Sequence, residues 1–428
     1  MININKITLS GFRNLTKSIF ELDDLIALIS TNSYGKSNVL SAIKFGIDFI
    51  NISEKGKDIM MKWAKGIPLN KKLALENYKV EFEITTDIKE KEYIIQYGYE
   101  FKWYRNDGTG QKIVGEQLKI KKSEDKRFSV YVNRNENVAL YKTSDTGRCS
   151  TKININDNEL VINKLKAFDN LFYIEIINRL NSIKFYIERH LDASQLYDED
   201  PVVIADAKEL DLESTSSIPR MIYNLKKDHK NKYQLLIDSF MQLFPKITEF
   251  YVEELKVKYD RKIIENDDVP FRISNELYRI MVRDKDLNQP INFDNMSDGA
   301  KRIFLQLATI IIAEIQGYSF VAIEEPENSI HPALFQSYLR IISQFKGECK
   351  IIITSHSPYL LKYLNVEEIY VGVPNLNGVA NFKHIKKSAG KQLEKISNQF
   401  NMSIGDYIFE LLNGNEDDIE ELKGILEE

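Results

Sequence analysis

The chain has 428 residues, 43% hydrophobic and 28% charged, with a net charge of −5 and only two cysteines, Cys149 and Cys349. It suits a soluble fold of roughly two to three domains, without an apolar run of about 18 residues to span a membrane or a signal-peptide core. The acidic balance argues against a chain dedicated to wrapping nucleic acid, and two distant cysteines read as free thiols of a reducing cytoplasm.

Ile2 to Leu9 mixes apolar and polar residues in strand fashion, and Gly11-Phe12-Arg13-Asn14-Leu15 follows as a turn. Ile19 to Leu22 and Leu25 to Ile29 are two more short strands. The last runs into Ser30-Thr31-Asn32-Ser33-Tyr34-Gly35-Lys36-Ser37-Asn38, and the spacing of Val39, Leu40, Ile43 and Ile47 predicts a helix from about Ser37 to Ile50. A strand, a tight polar turn ending in Gly-Lys-Ser and a helix form the setting in which a P-loop cradles phosphates. Backbone N–H groups and the helix dipole face the anion. Lys36 would reach the β/γ-phosphates, and the Ser37 hydroxyl would hold Mg2+. The consensus opens with glycine where this chain has Ser30, which a backbone with negative φ permits.

Glu54 to Asn70 reads as loop with some helix. From Tyr78 the period is two, through Tyr93 to Trp103 and on to about Ile155, with a hairpin turn at Asn106-Asp107-Gly108. This predicts an antiparallel, half-solvated sheet, whose interspersed Lys, Arg and acids suit a solvated face. Leu160 to about Lys258 is expected to be mainly helical, around an acidic irregular patch from Asp192 to Asp211 and a helix start at Ser214 to Pro219. Strands are expected at Glu249 to Leu255 and Tyr278 to Val282.

A second constellation lies downstream. Met296-Ser297-Asp298-Gly299 caps an apolar helix, Ile303 to Ile315, and offers a hydroxyl and N–H groups to an anion. Ser319 to Ile323 reads as a buried strand ending in Glu324-Glu325-Pro326-Glu327. The first acid, Glu324, would act on Mg2+ through its waters, and the second, Glu325, would polarise the attacking water. Asn328 to Pro332 is a turn and helix start. Another buried strand, Lys350 to Thr354, ends in Ser355-His356-Ser357-Pro358. A strand's carboxyl end is where ligands of parallel α/β sheets sit, so His356 is expected to sense the γ-phosphate.

At these residues the chain resembles the ABC-type ATPases of the SMC and recombination-repair class. It resembles more closely the bacterial AAA-domain group related to overcoming-lysogenisation-defect (OLD) proteins and abortive-infection ATPases. Ser30 to Ser37 is similar to the Walker A, with Asn38 often found in this class. Phe12-Arg13-Asn14 is similar to the turn whose arginine lies near the nucleotide. Met296 to Gly299 resembles the ABC signature, with Met for leucine. Ile323 to Glu327 with His331-Pro332 resembles the group's Walker B and D-loop, and Thr354 to Pro358 its switch histidine. Tyr97 to Leu118 and Leu243 to Ile247 also look like this group.

The resemblance implies an α/β fold: an ABC-type P-loop NTPase head with an antiparallel β subdomain and a large helical insertion. The segments would be an N-lobe at 1–50, the β subdomain at 51–159, the insertion at 160–284, a C-lobe at 285–375 and a helical acidic tail at 376–428. ATP and Mg2+ are the implied cofactors. Ser30, Asn32, Gly35, Lys36, Ser37, Asn38 and Arg13 would bind nucleotide in one protomer, and Ser297 and Gly299 of another would complete a head-to-tail sandwich. Ser37 and Glu324 would serve the metal; Glu325 and His356 would be catalytic. OLD relatives carry a nuclease domain beyond the ATPase, for which the tail is too short. A separate effector, toxin or nuclease, is therefore expected, as in cytoplasmic anti-phage systems. An ATP-gated DNA clamp using a local basic groove, and a nucleotide-gated scaffold without turnover, are the alternatives.

Overall fold

The computed structural model describes residues 2–168, 170–189, 197, 202–204, 210, 212, 218–256, 271–345, 347, 349–361, 364–373 and 378–427. Most of the acidic stretch 192–211 and the expected helix start at 214–217 lie outside them. The chain forms two compact units, Met1–Phe185 with Lys350–Glu428, and Tyr186–Cys349.

In the first unit, an eight-stranded antiparallel sheet runs in the order Ser18–Glu21, Ile2–Ser10, Tyr78–Ile88, Lys91–Lys102, Lys112–Lys122, Ser129–Arg134, Ala139–Tyr141, Thr151–Lys152. The strands expected in segments 1–50 and 51–159 thus share one sheet, because Ile2–Ser10 pairs directly with Tyr78–Ile88, Ile7 opposite Phe82. Period-two alternation puts Tyr78, Val80 and Phe82 with Tyr97, Tyr99 and Phe101 on the buried face. Against that face lies the helix Lys36–Asn51. Tyr78 Oη donates to Ala42 O at 2.9 Å and Tyr99 Oη to Gly46 O at 2.7 Å. Gly46 allows this approach, since a Cβ there would sit 2.4 Å from the Tyr78 hydroxyl. Phe45, Phe49, Phe101 and Trp103 fill the rest of the interface as an aromatic cluster.

A second set of strands covers the other side of the helix's origin. Leu25–Ser30, buried throughout, pairs in parallel with Lys350–Ser355 on one edge and Ile369–Gly372 on the other. The continuous apolar run is what a doubly buried parallel strand requires. Phe382–His384 adds antiparallel to Ile369–Gly372, so the segment expected as a helical tail begins with a strand. Helices Gly390–Gln399, Ile404–Asn413 and Glu416–Ile425 follow it.

The stretch expected to be mainly helical is mixed among the described residues. Helices Val161–Leu165, Ile174–Leu180, Ile218–Asp228 and Lys230–Leu243 alternate with unexpected strands Phe185–Glu188, Val202–Ile204 and Phe271–Ile273, while Ile247–Lys256 and Glu276–Asp284 are the two strands expected at Glu249 to Leu255 and Tyr278 to Val282. Leu160 to Leu180 breaks in two because its aromatics reach sideways to the sheet: Phe168 packs on Tyr141, and Phe172 and Tyr173 on Tyr131. In the second unit, Ile247–Lys256, Glu276–Asp284 and Ile291–Asn292 form an antiparallel sheet. The helix Asp298–Ile315 is fixed to it through Phe304, stacked on Phe250 at 4.9 Å and set edge-on to Phe240 at 5.2 Å.

Beneath the eight-stranded sheet sits a buried ionic cluster. The Glu116 carboxylate accepts from Val161 N at 2.5 Å, Ile162 N at 3.1 Å and Tyr97 Oη at 3.2 Å, capping the helix Val161–Leu165 from a neighbouring strand. Burial outweighs these donors and raises its pKa to about 6. Burial likewise lowers that of Lys57 to about 8, against the pull of Glu116, Glu54 and Glu159. A raised carboxyl favours folding when protonated, so the Glu116 contribution is complete below its ordinary value of 4.5 and lost as pH rises through about 6. From pH 4.5 to 7.5, wild-type stability should therefore fall by about 2 kcal/mol relative to Glu116→Gln, as read by urea unfolding of both proteins. Parallel pH dependences would show that this carboxyl does not titrate there.

Candidate nucleotide site

The phosphate loop leaves the buried strand Leu25–Ser30 and enters the helix Lys36–Asn51. Gly35, at φ +135, makes the final bend, and a Cβ there would press to 3.2 Å from Asn14 Oδ1 and 3.1 Å from Ala380 Cβ. Ser33 also has positive φ, at 60, while Ser30 keeps the negative φ that a serine needs in place of glycine. Ser30 is fully buried and its Oγ lies 3.4 Å from Lys36 Nζ. Lys36, itself only 6% exposed, donates to Ser30 O at 3.0 Å and Thr31 O at 3.3 Å. Its ammonium also lies 2.8 Å from His356 Nδ1. An ammonium has donors only, so Nδ1 accepts, and a neutral His356 then carries its proton on Nε2. The parallel register explains the meeting, because Ser355 stands opposite Ile29 and each following residue leaves the sheet at the same end.

Asn14 and Arg13 hold the loop from the side. Asn14 Nδ2 donates to Tyr34 O at 2.9 Å, and Asn38 Nδ2 donates to Asn14 Oδ1 at 2.7 Å. Arg13, in a left-handed conformation at φ 53, donates from Nη1 to Asn38 Oδ1 and from Nε to Lys65 O, both at 2.6 Å. The Tyr34 hydroxyl contacts Asn381, and its ring packs edge-on to Phe382. Asn32 and Ser37 are exposed. Lys36, Gly35, Asn38, Arg13 and His356 are thus brought together with Ser30, around exposed Asn32 and Ser37.

The second unit holds the other expected residues. Ser297 caps the helix Asp298–Ile315, its Oγ accepting from Ala300 N at 3.3 Å. Gly299 packs so closely that a Cβ would lie 2.4 Å from Ser329 O. Glu324 and Glu325 end the strand Phe320–Glu324. One Glu324 oxygen, Oε2, pairs with Arg189 Nε at 2.9 Å, while Oε1 is buried with no hydrogen-bond partner among the described residues. Such an orphaned acceptor fits a water or a hydrated cation. Glu325 has φ 49, which costs a non-glycine residue on the order of 1–2 kcal/mol. Its Oε2 accepts from Asn328 Nδ2 at 2.8 Å. Sequence reasoning missed Asn14, Arg189, Arg302 and Asn328. For Arg302 the signal was a cation at a buried position of a strongly apolar helix.

Asn14→Ala removes the bonds to Tyr34 and Asn38 and should weaken ATP binding about tenfold, the worth of one or two hydrogen bonds. Isothermal titration calorimetry measures this; unchanged affinity would mean that the turn does not shape the loop.

No curated protein matches the chain significantly. Three solved structures of similar arrangement are SMC heads, all below a TM-score of 0.5. A head bound to the C-winged helix domain of ScpA is 15% identical, covers 91% of this chain and 99% of its own, and has TM-score 0.49. The head domain from Thermotoga maritima is 11% identical, with 90% and 99% covered and TM-score 0.42. A head with an extended coiled coil bound to the C-terminal domain of ScpA derived from Pyrococcus furiosus is 14% identical, with 92% and 100% covered and TM-score 0.44. Residues 27–362, more than three quarters of the chain, match the family described as "AAA domain, putative AbiEii toxin, Type IV TA system". That span takes in the phosphate loop, the Ser297 turn, the double-acid strand and His356, and the chain belongs to this family of P-loop ATPase domains.

Proposed function

We propose that this chain hydrolyses ATP, closes on it with a second copy of itself, and thereby controls a separate toxin or nuclease in bacterial anti-phage defence. The observation that carries the reading is the 2.8 Å contact between Lys36 Nζ and His356 Nδ1 at the mouth of the phosphate loop. A cation and an imidazole thus stand side by side at the end of the loop, where a terminal phosphate would lie. The family description, with its toxin and toxin–antitoxin terms, supports the link to a toxin–antitoxin type of system. No helix among the described residues is long and apolar enough to cross a membrane.

In this reading the amides of the loop and the Lys36 ammonium bind the β- and γ-phosphates. Ser37 and Glu324 would be the residues serving Mg2+, which would neutralise charge on the phosphate oxygens. Glu325 takes the proton of the attacking water, and His356 donates from Nε2 to the γ-phosphate. Ser297 and the first N–H groups of its helix meet the nucleotide of the other copy, so that one protomer alone is an incomplete site.

Phosphate release by the purified chain with Mg2+ tests this. Lys36→Ala should abolish binding and turnover. Glu325→Gln should lower kcat at least about 100-fold and accumulate ATP-bound dimers in light scattering. Wild-type turnover retained by both variants would refute the assignment. ATP-dependent capture of duplex DNA that weakens steeply with salt would instead favour a DNA clamp.

A further inference from the structure

Arg302 lies one turn into the helix Asp298–Ile315 and is only 3% exposed. Its Nη2 donates to the carbonyl oxygens of Glu324 at 3.0 Å and of Glu325 at 3.1 Å. These two carbonyls belong to the peptide groups on either side of the Glu325 Cα. Holding both planes from one nitrogen fixes φ and ψ at that residue, and φ there is 49, a region a glutamate does not adopt unaided. Asn328 completes the restraint. Its N–H donates to Glu325 O at 3.1 Å, and its Nδ2 to Glu325 Oε2 at 2.8 Å.

The same helix reaches the Ser297 turn. Ser297 caps it five residues before Arg302, and Gly299 packs against Ser329 O in the loop that follows Glu325. The first turns of the helix therefore touch the glutamate loop twice, at its start through Arg302 and beyond it through Gly299. The Ser297 turn and the Glu325 backbone are thus joined through one helix and its packing on one loop.

We propose that Arg302 is a positioning residue: it holds Glu325 in the left-handed conformation from which its carboxylate takes the water proton, and ties that conformation to the Ser297 turn. This rests on the ATPase reading above and adds no chemical step to it. The competing role is purely structural. Glu188 is fully buried, and its charge raises the Tyr338 phenol while Arg302 lowers it, so both lie within electrostatic reach of that group. As a mere counter-charge, Arg302 would affect how much protein folds and not how fast each folded copy turns over.

The test measures ATP turnover by the full chain, per folded protein, for Arg302→Met and Arg302→Lys. Lysine keeps the positive charge, but its flexible stem has no guanidinium plane to fix the donor between the two carbonyls, so it holds them less firmly. We expect kcat to fall about 10- to 100-fold for methionine and about 5- to 20-fold for lysine, with KM for ATP changed less than about threefold. In a Glu325→Gln background, single-turnover rates should drop by less than about twofold on adding Arg302→Lys, because the arginine acts through the glutamate. A folded Arg302→Lys chain with wild-type kcat, or a full loss repeated in the Glu325→Gln background, would overturn the proposal. Absence of turnover in the wild type would overturn the ATPase reading beneath it.

Discussion

The burial of the strand Leu25–Ser30 on both faces is the constraint on which the phosphate-loop unit depends. Leu28 and Ile29 are wholly buried, and the strand has a parallel neighbour on each edge. Parallel pairing makes all three strands point the same way, so Ser30, His356 and Gly372 emerge together at the carboxyl end. Each end then takes a share of the loop. Ser30 supplies a carbonyl to Lys36, His356 supplies Nδ1, and Gly372 makes room for the Tyr34 ring, where a Cβ would come to 2.5 Å. A Lys36 side chain anchored elsewhere would meet none of them.

Left-handed backbone recurs at the turns that carry charge. Arg13, Ser33 and Gly35 in the first unit, and Glu325 and Ser329 in the second, all have positive φ. Each lies in a short connection after a strand or before a helix and redirects the chain there. Ser30 is the informative contrast. Its φ is negative, so the position does not require glycine, and the serine's hydroxyl lies close to Lys36. The missing first glycine of the loop therefore changes what Lys36 sees without changing the path of the chain.

Sequence alone made the local grammar legible. The strand ends, the Ser297 cap and the double acid are each written within a few neighbouring residues, and the strands Ile2–Ser10, Leu25–Ser30 and Lys350–Ser355 and the helix Lys36–Asn51 end within one or two positions of where they are expected. What stayed hidden spans long separations. Nothing near Ile7 announces that it pairs with Phe82, nor that Asn14 will bridge Tyr34 to Asn38. The break between Leu165 and Ile174 was invisible for a different reason. Its aromatics keep a helical period, and only the presence of Tyr131 and Tyr141 on the sheet shows why they leave it. The strand Phe382–His384 is three residues long and carries a lysine, so it has too little pattern to be read before its partner is known.

The geometry of Lys36 bears on how such a loop could bind strongly with one lysine. A free lysine side chain loses roughly 1.5–2 kcal/mol of rotamer entropy when fixed. Here that ordering is already done, because Ser30 O, Thr31 O and His356 Nδ1 hold the ammonium at the loop's mouth. None of the three acceptors is an anion, so an ionised phosphate would add a Coulombic attraction that they do not supply. A phosphate could therefore replace one or more of them without requiring the side chain to be ordered anew. The histidine gains from the same arrangement, since accepting at Nδ1 commits its remaining proton to Nε2. Lysine and histidine are set by each other, and the register of two buried strands sets them both.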